Sequence, residues 1–205
     1  MNELAKRTTE ALTRNGFKSR YFETADEARA ALVDSIDPSE TVAAGGSVTI
    51  RSMGIKEALA AKGIKLLLHS DASAPEERAE TLKRAAVTDV YLSSINALTA
   101  DGVILNIDGI GNRVASTVFG HRRVFYLAGV NKITGNLQEA FIRLKNVATP
   151  LNAKRLNRKT PCAVTGKCEN CDAPERLCRA TVIIERPTTG TEEISVFLIG
   201  ETLGY

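Results

Sequence analysis

The sequence predicts an α/β fold: a three-layer α/β/α domain with a mostly parallel sheet and a C-terminal antiparallel hairpin. Three observations carry that expectation. Short apolar runs at residues 41–44, 64–69, 90–93, 103–107 and 124–128 read as buried strands. Segments with helical apolar spacing lie between most of them, and such alternation favours parallel strands joined by helical crossovers. Two further apolar runs, 181–185 and 195–199, are joined through Pro187-Thr188-Thr189-Gly190, the pattern of a closing hairpin.

The elements follow in order. Leu4, Ala11 and Leu12 suit an amphipathic first helix ended by Gly16, and residues 19–22 a short strand. Thr24-Ala25-Asp26-Glu27 has the capping-box pattern and opens a helix to about Ser35, where Asp37-Pro38 stops it. The strand at 41–44 runs into Gly45-Gly46-Ser47-Val48-Thr49 and a helix over 51–61, ended by Gly63. After the strand at 64–69, Ser73-Ala74-Pro75-Glu76 starts a helix to about Ala86. The strand at 103–107 sits between two turn dipeptides, Asp101-Gly102 and Asp108-Gly109. Asn112 can cap a helix over 113–119 that Gly120 ends. Asn136-Leu137-Gln138-Glu139 caps another, through about Val147. Residues 149–179 form the longest irregular stretch, and a loop of that length inside a compact domain calls for an explanation, either disorder or a function.

Composition narrows the classes. A chain of 205 residues suffices for one α/β domain, so residues 1–205 are read as a single unit containing the basic, cysteine-bearing loop 149–179. The chain is 43% hydrophobic but only 5% aromatic, which points to a core of Val, Ile, Leu and Ala. A net charge of +3 is too small to argue for a nucleic-acid or membrane surface. No run approaches the roughly 20 apolar residues of a membrane span, and the N-terminus lacks a signal-peptide core. A cytoplasmic protein without membrane association is the expectation.

Three loops emerge where strands end, the place where open α/β sheets bind ligands. In the first, Gly45 and Gly46 would let backbone N–H groups approach an anion, while Ser47 and Thr49 add hydroxyls and Arg51 sits one turn in. The competing reading is a tight turn that needs glycine for its backbone angles. The second holds Asp108, a candidate acid–base group, with Asn112 and with Arg113 as an anion clamp. Asp101 reads as a turn residue. The third, Gly129-Val130-Asn131-Lys132, offers a polar amide and an amine that becomes a base if desolvated. Together they predict a cleft for a small anionic metabolite, with Asp108 and Lys132 as catalytic groups. His69 reads as a strand end and His121 as a turn residue.

The strongest local signal is Cys162, Cys168, Cys171 and Cys178, spaced C-x5-C-x2-C-x6-C among charged residues. Four thiolates so close in sequence can surround one metal centre. Reduced structural thiols and two disulfides are the alternatives, but free cysteine normally packs as an apolar residue, and these neighbours are polar. Nearby basic residues, among them Lys154, Arg155, Arg158 and Arg176, favour the thiolate form. They could equally meet an acidic partner; without interleaved aromatics, nucleic acid is the weaker reading. Zinc sites commonly use two short Cys-x2-Cys knuckles and this chain has one, whereas iron–sulfur clusters such as [4Fe–4S] accept less regular spacing.

Taken together, these motifs resemble the LUD (lactate utilization protein) domain family. The resemblance rests on Gly45-Gly46-Ser47-Val48-Thr49; on the stretch from Thr99-Ala100-Asp101-Gly102 to Asn112-Arg113-Val114-Ala115; and on Gly129-Val130-Asn131-Lys132-Ile133. It extends from Lys159-Thr160-Pro161-Cys162 through Cys178-Arg179 to Glu201-Thr202-Leu203-Gly204. It implies a fold similar to ribose-5-phosphate isomerase, glucosamine-6-phosphate deaminase and the CoA transferases, whose Gly-rich strand–helix turn binds phosphate- or CoA-type ligands. It also implies a part in oxidising L-lactate, as a component of an iron–sulfur L-lactate dehydrogenase complex with iron–sulfur partner proteins. That implied link to lactate oxidation puts a [4Fe–4S] cluster ahead of zinc at the cysteines. Two alternatives are kept: a stand-alone isomerase or transferase on a sugar phosphate or CoA ester, and a non-catalytic ligand-binding regulatory module. Self-association as a homo-oligomer is compatible with each.

Overall fold

The computed structural model describes residues 3–205. Helix α1 (Glu3–Arg14) buries Ala5, Thr8, Ala11 and Leu12 along one face. Strand β1 (Lys18–Phe22) leads to α2 (Ala25–Ser35), and the expected capping box forms: Glu27 N–H donates to Thr24 Oγ1 at 3.2 Å and Thr24 N–H to Glu27 Oε2 at 3.3 Å. Strand β2 (Val42–Ala44) is buried throughout and is followed by α3 (Val48–Ser52) and α4 (Ile55–Ala61). The single helix expected over 51–61 is thus broken, because the chain turns at Gly54 with φ of +63°, a conformation that strains any residue with a Cβ. Strand β3 (Leu66–Leu68), a 3₁₀ turn (His69–Asp71) and α5 (Pro75–Ala85) come next. Ser73 does not cap α5; Ala74 holds that position, and Ser73 N–H donates to Glu77 Oε2 at 2.9 Å.

Strands β4 (Val90–Ser94), β5 (Ala97–Thr99) and β6 (Ile104–Asp108) precede α6 (Asn112–Ser116). Asn112 is the first residue of α6 rather than its cap; Gly111 caps it with φ of +93°, and Asp108 Oδ2 accepts from Arg113 N–H at 3.0 Å. Strand β7 (Arg123–Gly129), a 3₁₀ turn (Val130–Lys132) and the short β8 (Ile133–Thr134) lead to α7 (Leu137–Arg143), which Asn136 caps as expected. The chain stays helical through a π turn (Leu144–Ala148) into α8 (Thr149–Arg155). Pro150 accounts for the π turn: its ring has no N–H and crowds the carbonyl four residues back. Helix α9 (Pro161–Thr165), β9 (Ala180–Ile184) and β10 (Glu193–Ile199) complete the order, so the stretch 149–179 carries two short helices and is irregular over 156–160 and 166–179.

The main sheet has the order β1-β10-β7-β4-β2-β3 with every neighbouring pair parallel; a second, mixed sheet has the order β8-β5-β6-β9. This corrects two expectations. The runs 181–185 and 195–199 form no hairpin: β10 lies parallel between β1 and β7, while β9 pairs antiparallel with β6. The physical reason is burial. Ile194–Ile199 is covered on both faces, which suits a central parallel strand, whereas β9 exposes alternate residues as an edge strand does. Likewise the 103–107 strand belongs to the second sheet, antiparallel to β5 and β9, and not to the main sheet.

Side chains alternate across the main sheet. Val90, Leu92, Phe125 and Phe197 face Leu32, Ile36, Met53, Ile55 and Leu59 of α2 to α4. Tyr91, Val124, Tyr126 and Leu198 face Ala5 and Leu12 of α1 with Ile104 and Ile184 of the second sheet. Leu105 and Ile107 pack outward on Ala140 and Leu144, so α7 and the π turn cover the second sheet. Each such aliphatic side chain contributes about 1.5–3 kcal/mol by leaving water. Tyr91, Phe125 and Tyr126 are among the largest fully buried side chains, so the few aromatics are concentrated in the core instead of being absent from it. Among the described residues, no helix is long and apolar enough to cross a membrane.

Candidate functional site: an arginine-lined cleft beside a cysteine pocket

Strand β4 lies between β2 and β7, so the carboxyl ends of all three open at one place. Gly46, Ser47 and Thr49 arrive from β2, Ser94 and Asn96 from β4, and Lys132 from β7; Asp108, Asn112 and Arg113 come in from β6 of the second sheet. These residues line one cleft of about 400 Å³. The sequence places all three loops on neighbouring strands of one sheet; two are there, and the third reaches the cleft because the second sheet stacks against the first.

Each side chain has a definable task. A Cβ on Gly45 would stand 3.1 Å from the Tyr91 hydroxyl and 3.3 Å from Arg113 Cβ and Cδ, so glycine lets the Arg113 stem pass behind the loop. Gly46 is freer, with only the His69 ring at 3.8 Å. Ser47 Oγ accepts from Ile50 N–H at 3.2 Å and caps α3. Thr49 Oγ1 donates to Leu203 O at 3.3 Å and accepts from Ser94 Oγ at 3.1 Å. Asn131 lies just behind the wall; its Oδ1 accepts from Leu203 N–H at 3.1 Å and its Nδ2 donates to Gly204 O at 3.3 Å. Thr49 and Asn131 therefore bracket residues 203–204 against the cleft floor. Asp108 accepts from Gly109 N–H at 2.8 Å as well as from Arg113 N–H, closing its own turn while facing the cleft.

The Arg113 guanidinium is anchored: it donates to Asn96 Oδ1 at 2.9 Å, Asn106 Oδ1 at 3.3 Å and Ile107 O at 2.5 Å. It brings charge to the cleft wall but not the free fork expected of a clamp. Beyond Arg51, further arginines line the cleft that the sequence did not assign to it. Arg51, Arg78, Arg155, Arg158 and Arg176 also face the cleft, together with His69. Against six arginines, counting Arg113, the lining holds two side-chain carboxylates, Asp108 and Glu175. Burial, with Arg78 adding to it, holds the His69 imidazole below its usual pKa. His69 was legible as a residue beyond a strand's carboxyl end; the arginines of α8 and of the 166–179 segment were not, since they reach the cleft only through long-range packing.

Lys132 is the outlier. It is 2% exposed and ranks with the largest fully buried side chains, yet its amine makes no hydrogen bond or ion pair among the described residues. Burial first, then Arg143 and Arg113, pushes its pKa down to about 7. Near neutral pH a large share of it is free amine.

The four cysteines are free and half-buried, and all four line a second, much smaller cavity of about 10 Å³ with Lys145, Thr160 and Glu169. Thr149, Arg176 and Leu177 line both cavities and form the partition between them. The Cys168–Cys171 turn is tight: Asn170, with φ of +47°, donates its N–H to Cys168 Sγ at 3.4 Å. Arg176 donates to Cys178 Sγ at 3.2 Å and to Cys171 O at 2.6 Å. Among the described residues, however, no group of three or more His, Cys, Asp or Glu side chains is arranged to hold a single metal ion. The thiols are the right donors around one void, without forming a ready coordination shell.

The LUD domain model matches residues 5–199. No curated protein matches the chain. Among solved structures, a DUF162 family protein from Deinococcus radiodurans is similar at 12% identity and a TM-score of 0.56, covering 97% of each chain. Ribose 5-phosphate isomerase A from Neisseria gonorrhoeae is a weaker likeness, at 16% identity and a TM-score of 0.37 over 55% of this chain and 54% of that one. With the family model spanning all but the ends of the chain, this protein belongs to the LUD domain family.

Proposed function

We propose that this LUD protein is the substrate-binding subunit of a redox system that oxidises L-lactate or a related 2-hydroxy acid. The observation that carries the reading is the cleft, where six arginines face two side-chain carboxylates. An anion entering it finds charge from Arg51, Arg78, Arg155 and Arg158, and a buried amine at the floor. Lys132, as free amine, takes the substrate hydroxyl proton, and Asp108 stands across the cleft as the second proton-handling group. Cys162, Cys168, Cys171 and Cys178 would hold the metal centre, with a [4Fe–4S] cluster ahead of zinc. The support is four free thiols on one void and a cation on Cys178. When bound, such a cluster accepts electrons singly and passes them to iron–sulfur partner proteins. The test is anaerobic purification with iron, sulfide and zinc analysis, followed by L-lactate-dependent reduction of a dye with partner proteins supplied. Stoichiometric iron and sulfide with lactate-dependent reduction support the reading; absence of both overturns it.

A second reading has its own observation. A cavity of about 400 Å³ with this excess of positive charge is large for a three-carbon monoanion. It suits a phosphorylated ligand such as a sugar phosphate or a CoA ester, held by arginine–phosphate pairs. Turnover of a sugar phosphate or CoA ester by the isolated chain, without partners, would favour this reading over the first.

A further inference from the structure

We propose that Lys132 is a covalent catalytic group, a nucleophile that forms an imine with an anionic carbonyl compound held in the cleft. The proposal rests on reading the cleft as an anion site. The argument starts from what surrounds the amine. Lys132 is buried at the cleft floor, and among the described residues no acid pairs with it and no acceptor takes its hydrogens. An unpaired ammonium in such a place is costly, so the neutral form is favoured and its lone pair is uncommitted. Thr49 Oγ1, which borders Gly204 as the amine does, is already engaged with Leu203 and Ser94.

Glycine is required at the floor by its backbone angle and by Thr49, and its backbone lies close to that amine. Gly204 has φ of +59°, and a Cβ there would stand 2.6 Å from Thr49 Oγ1 and 3.6 Å from Lys132 Nζ. Asn131, the neighbour of Lys132 in sequence, pins Gly204 in place through its carbonyl. A lysine serving only as a fixed positive charge for an anion is better left protonated. A neutral amine in a cleft lined by arginines suits a molecule that carries both a carboxylate or phosphate, for the arginines, and a carbonyl, for the amine.

The step balances simply. The Nζ lone pair adds to the carbonyl carbon as the C=O pair moves to oxygen, which takes up a proton to give the carbinolamine. Loss of water, made from that hydroxyl and a proton from nitrogen, leaves the C=N bond. No oxidant or co-reactant is needed. Two sources share this chemistry, a 2-oxo acid and an open-chain sugar phosphate.

The full-length protein is incubated at pH 7 with pyruvate in one arm and ribose 5-phosphate in the other, each with borohydride, and analysed by intact mass and peptide mapping. The expected result is one adduct, heavier by the ligand less one oxygen atom, mapped to Lys132 in at least one arm. An amine with a pKa near 7 carries about a thousandfold more free base at pH 7 than a surface lysine, so label at Lys132 should far exceed label elsewhere. Lys132→Met, a neutral side chain of similar length, should lose the adduct while keeping the wild-type circular dichroism spectrum. Label confined to surface lysines, or equal label in Lys132→Met, overturns the proposal. Calorimetry with inorganic phosphate, pyruvate and ribose 5-phosphate separates the two levels: binding without a Lys132 adduct sinks the imine alone, whereas absence of binding by all three sinks the anion site as well.

Discussion

The two cavities share a partition and differ in how they are made. The cleft is built mainly on loops that leave buried strands, and its scaffold is tied down: Thr49 and Asn131 to residues 203–204, Arg113 to two asparagines and a carbonyl. The cysteine pocket is closed by residues 166–179, which form no helix or strand and depend on a few contacts, such as Cys168 N–H to Asn146 Oδ1 at 3.1 Å and Arg179 N–H to Asp108 O at 3.0 Å. The cleft therefore takes its shape from the apolar core. The pocket takes its shape from its own side chains, and a polar segment of that kind gains most from a ligand that links them. Ordering costs about 1–2 kcal/mol per residue in backbone entropy, and the segment 166–179 has Leu177 as its one large apolar residue to set against it.

The largest expected effect tests that contrast directly. Replacing Cys168 and Cys171 together by Ser should abolish metal binding and expose 166–179 to limited proteolysis, while anion affinity in the cleft changes little. Metal binding to small thiolate sites is worth roughly 10–16 kcal/mol, so the loss should be complete. Unchanged metal content and protease resistance would erase the distinction between a core-built and a ligand-built cavity.

Next comes the stability cost hidden in the cleft. The folded pKa of Lys132, about 7, lies below its ordinary 10.5, so between those values the unfolded chain holds a proton that the native state lacks. Wild-type stability should rise with pH across that window, and the penalty should be full below pH 7. Lys132→Met should therefore stabilise the fold by on the order of a few kcal/mol at pH 7, with the gain fading towards pH 10. Denaturant midpoints at several pH values measure it; a pH-independent difference would show that the amine is charged and satisfied.

Arg158→Ala and Arg113→Ala separate binding from scaffolding. Arg158 should lower phosphate affinity by about tenfold without moving the thermal midpoint, in line with ~1.5–3 kcal/mol for a charged hydrogen bond. Arg113→Ala should lower both, because Asn96 and Asn106 lose their donor. Identical behaviour of the two variants would mean that Arg113 is a clamp after all. The smallest effect sits at the partition. A Cβ on Gly109 would approach Leu177 Cα at 3.2 Å, so Gly109→Ala should cost about 1 kcal/mol and register in both cavities. A change in only one would show that they are mechanically independent.

Local chemistry was legible wherever a residue acts on its near neighbours. Thr24 and Asn136 cap helices because their side chains reach backbone N–H groups three residues on, and sequence spacing alone decides that reach. The spacing of the cysteines likewise brought all four to one pocket. Glycine at 45, 46 and 129 and polar residues beyond strand ends marked the cleft before its walls were known. Pairing of the last two strands was not legible, because an apolar run states how deeply a strand is buried and not which neighbour covers it. Ile194–Ile199 could have met β9 by local turn geometry; the gap between β1 and β7 captured it instead, since only a central position buries both of its faces. The arginine lining was decided the same way. The sequence puts Arg51 at the glycine loop and Arg158 and Arg176 beside the cysteines, with nothing in their spacing to join them, or Arg78, to one wall. Only the stacking of the second sheet and α8 beside the main sheet's carboxyl edge turns them toward one cleft, because charge and burial at a site are sums over neighbours that the chain brings together from a distance.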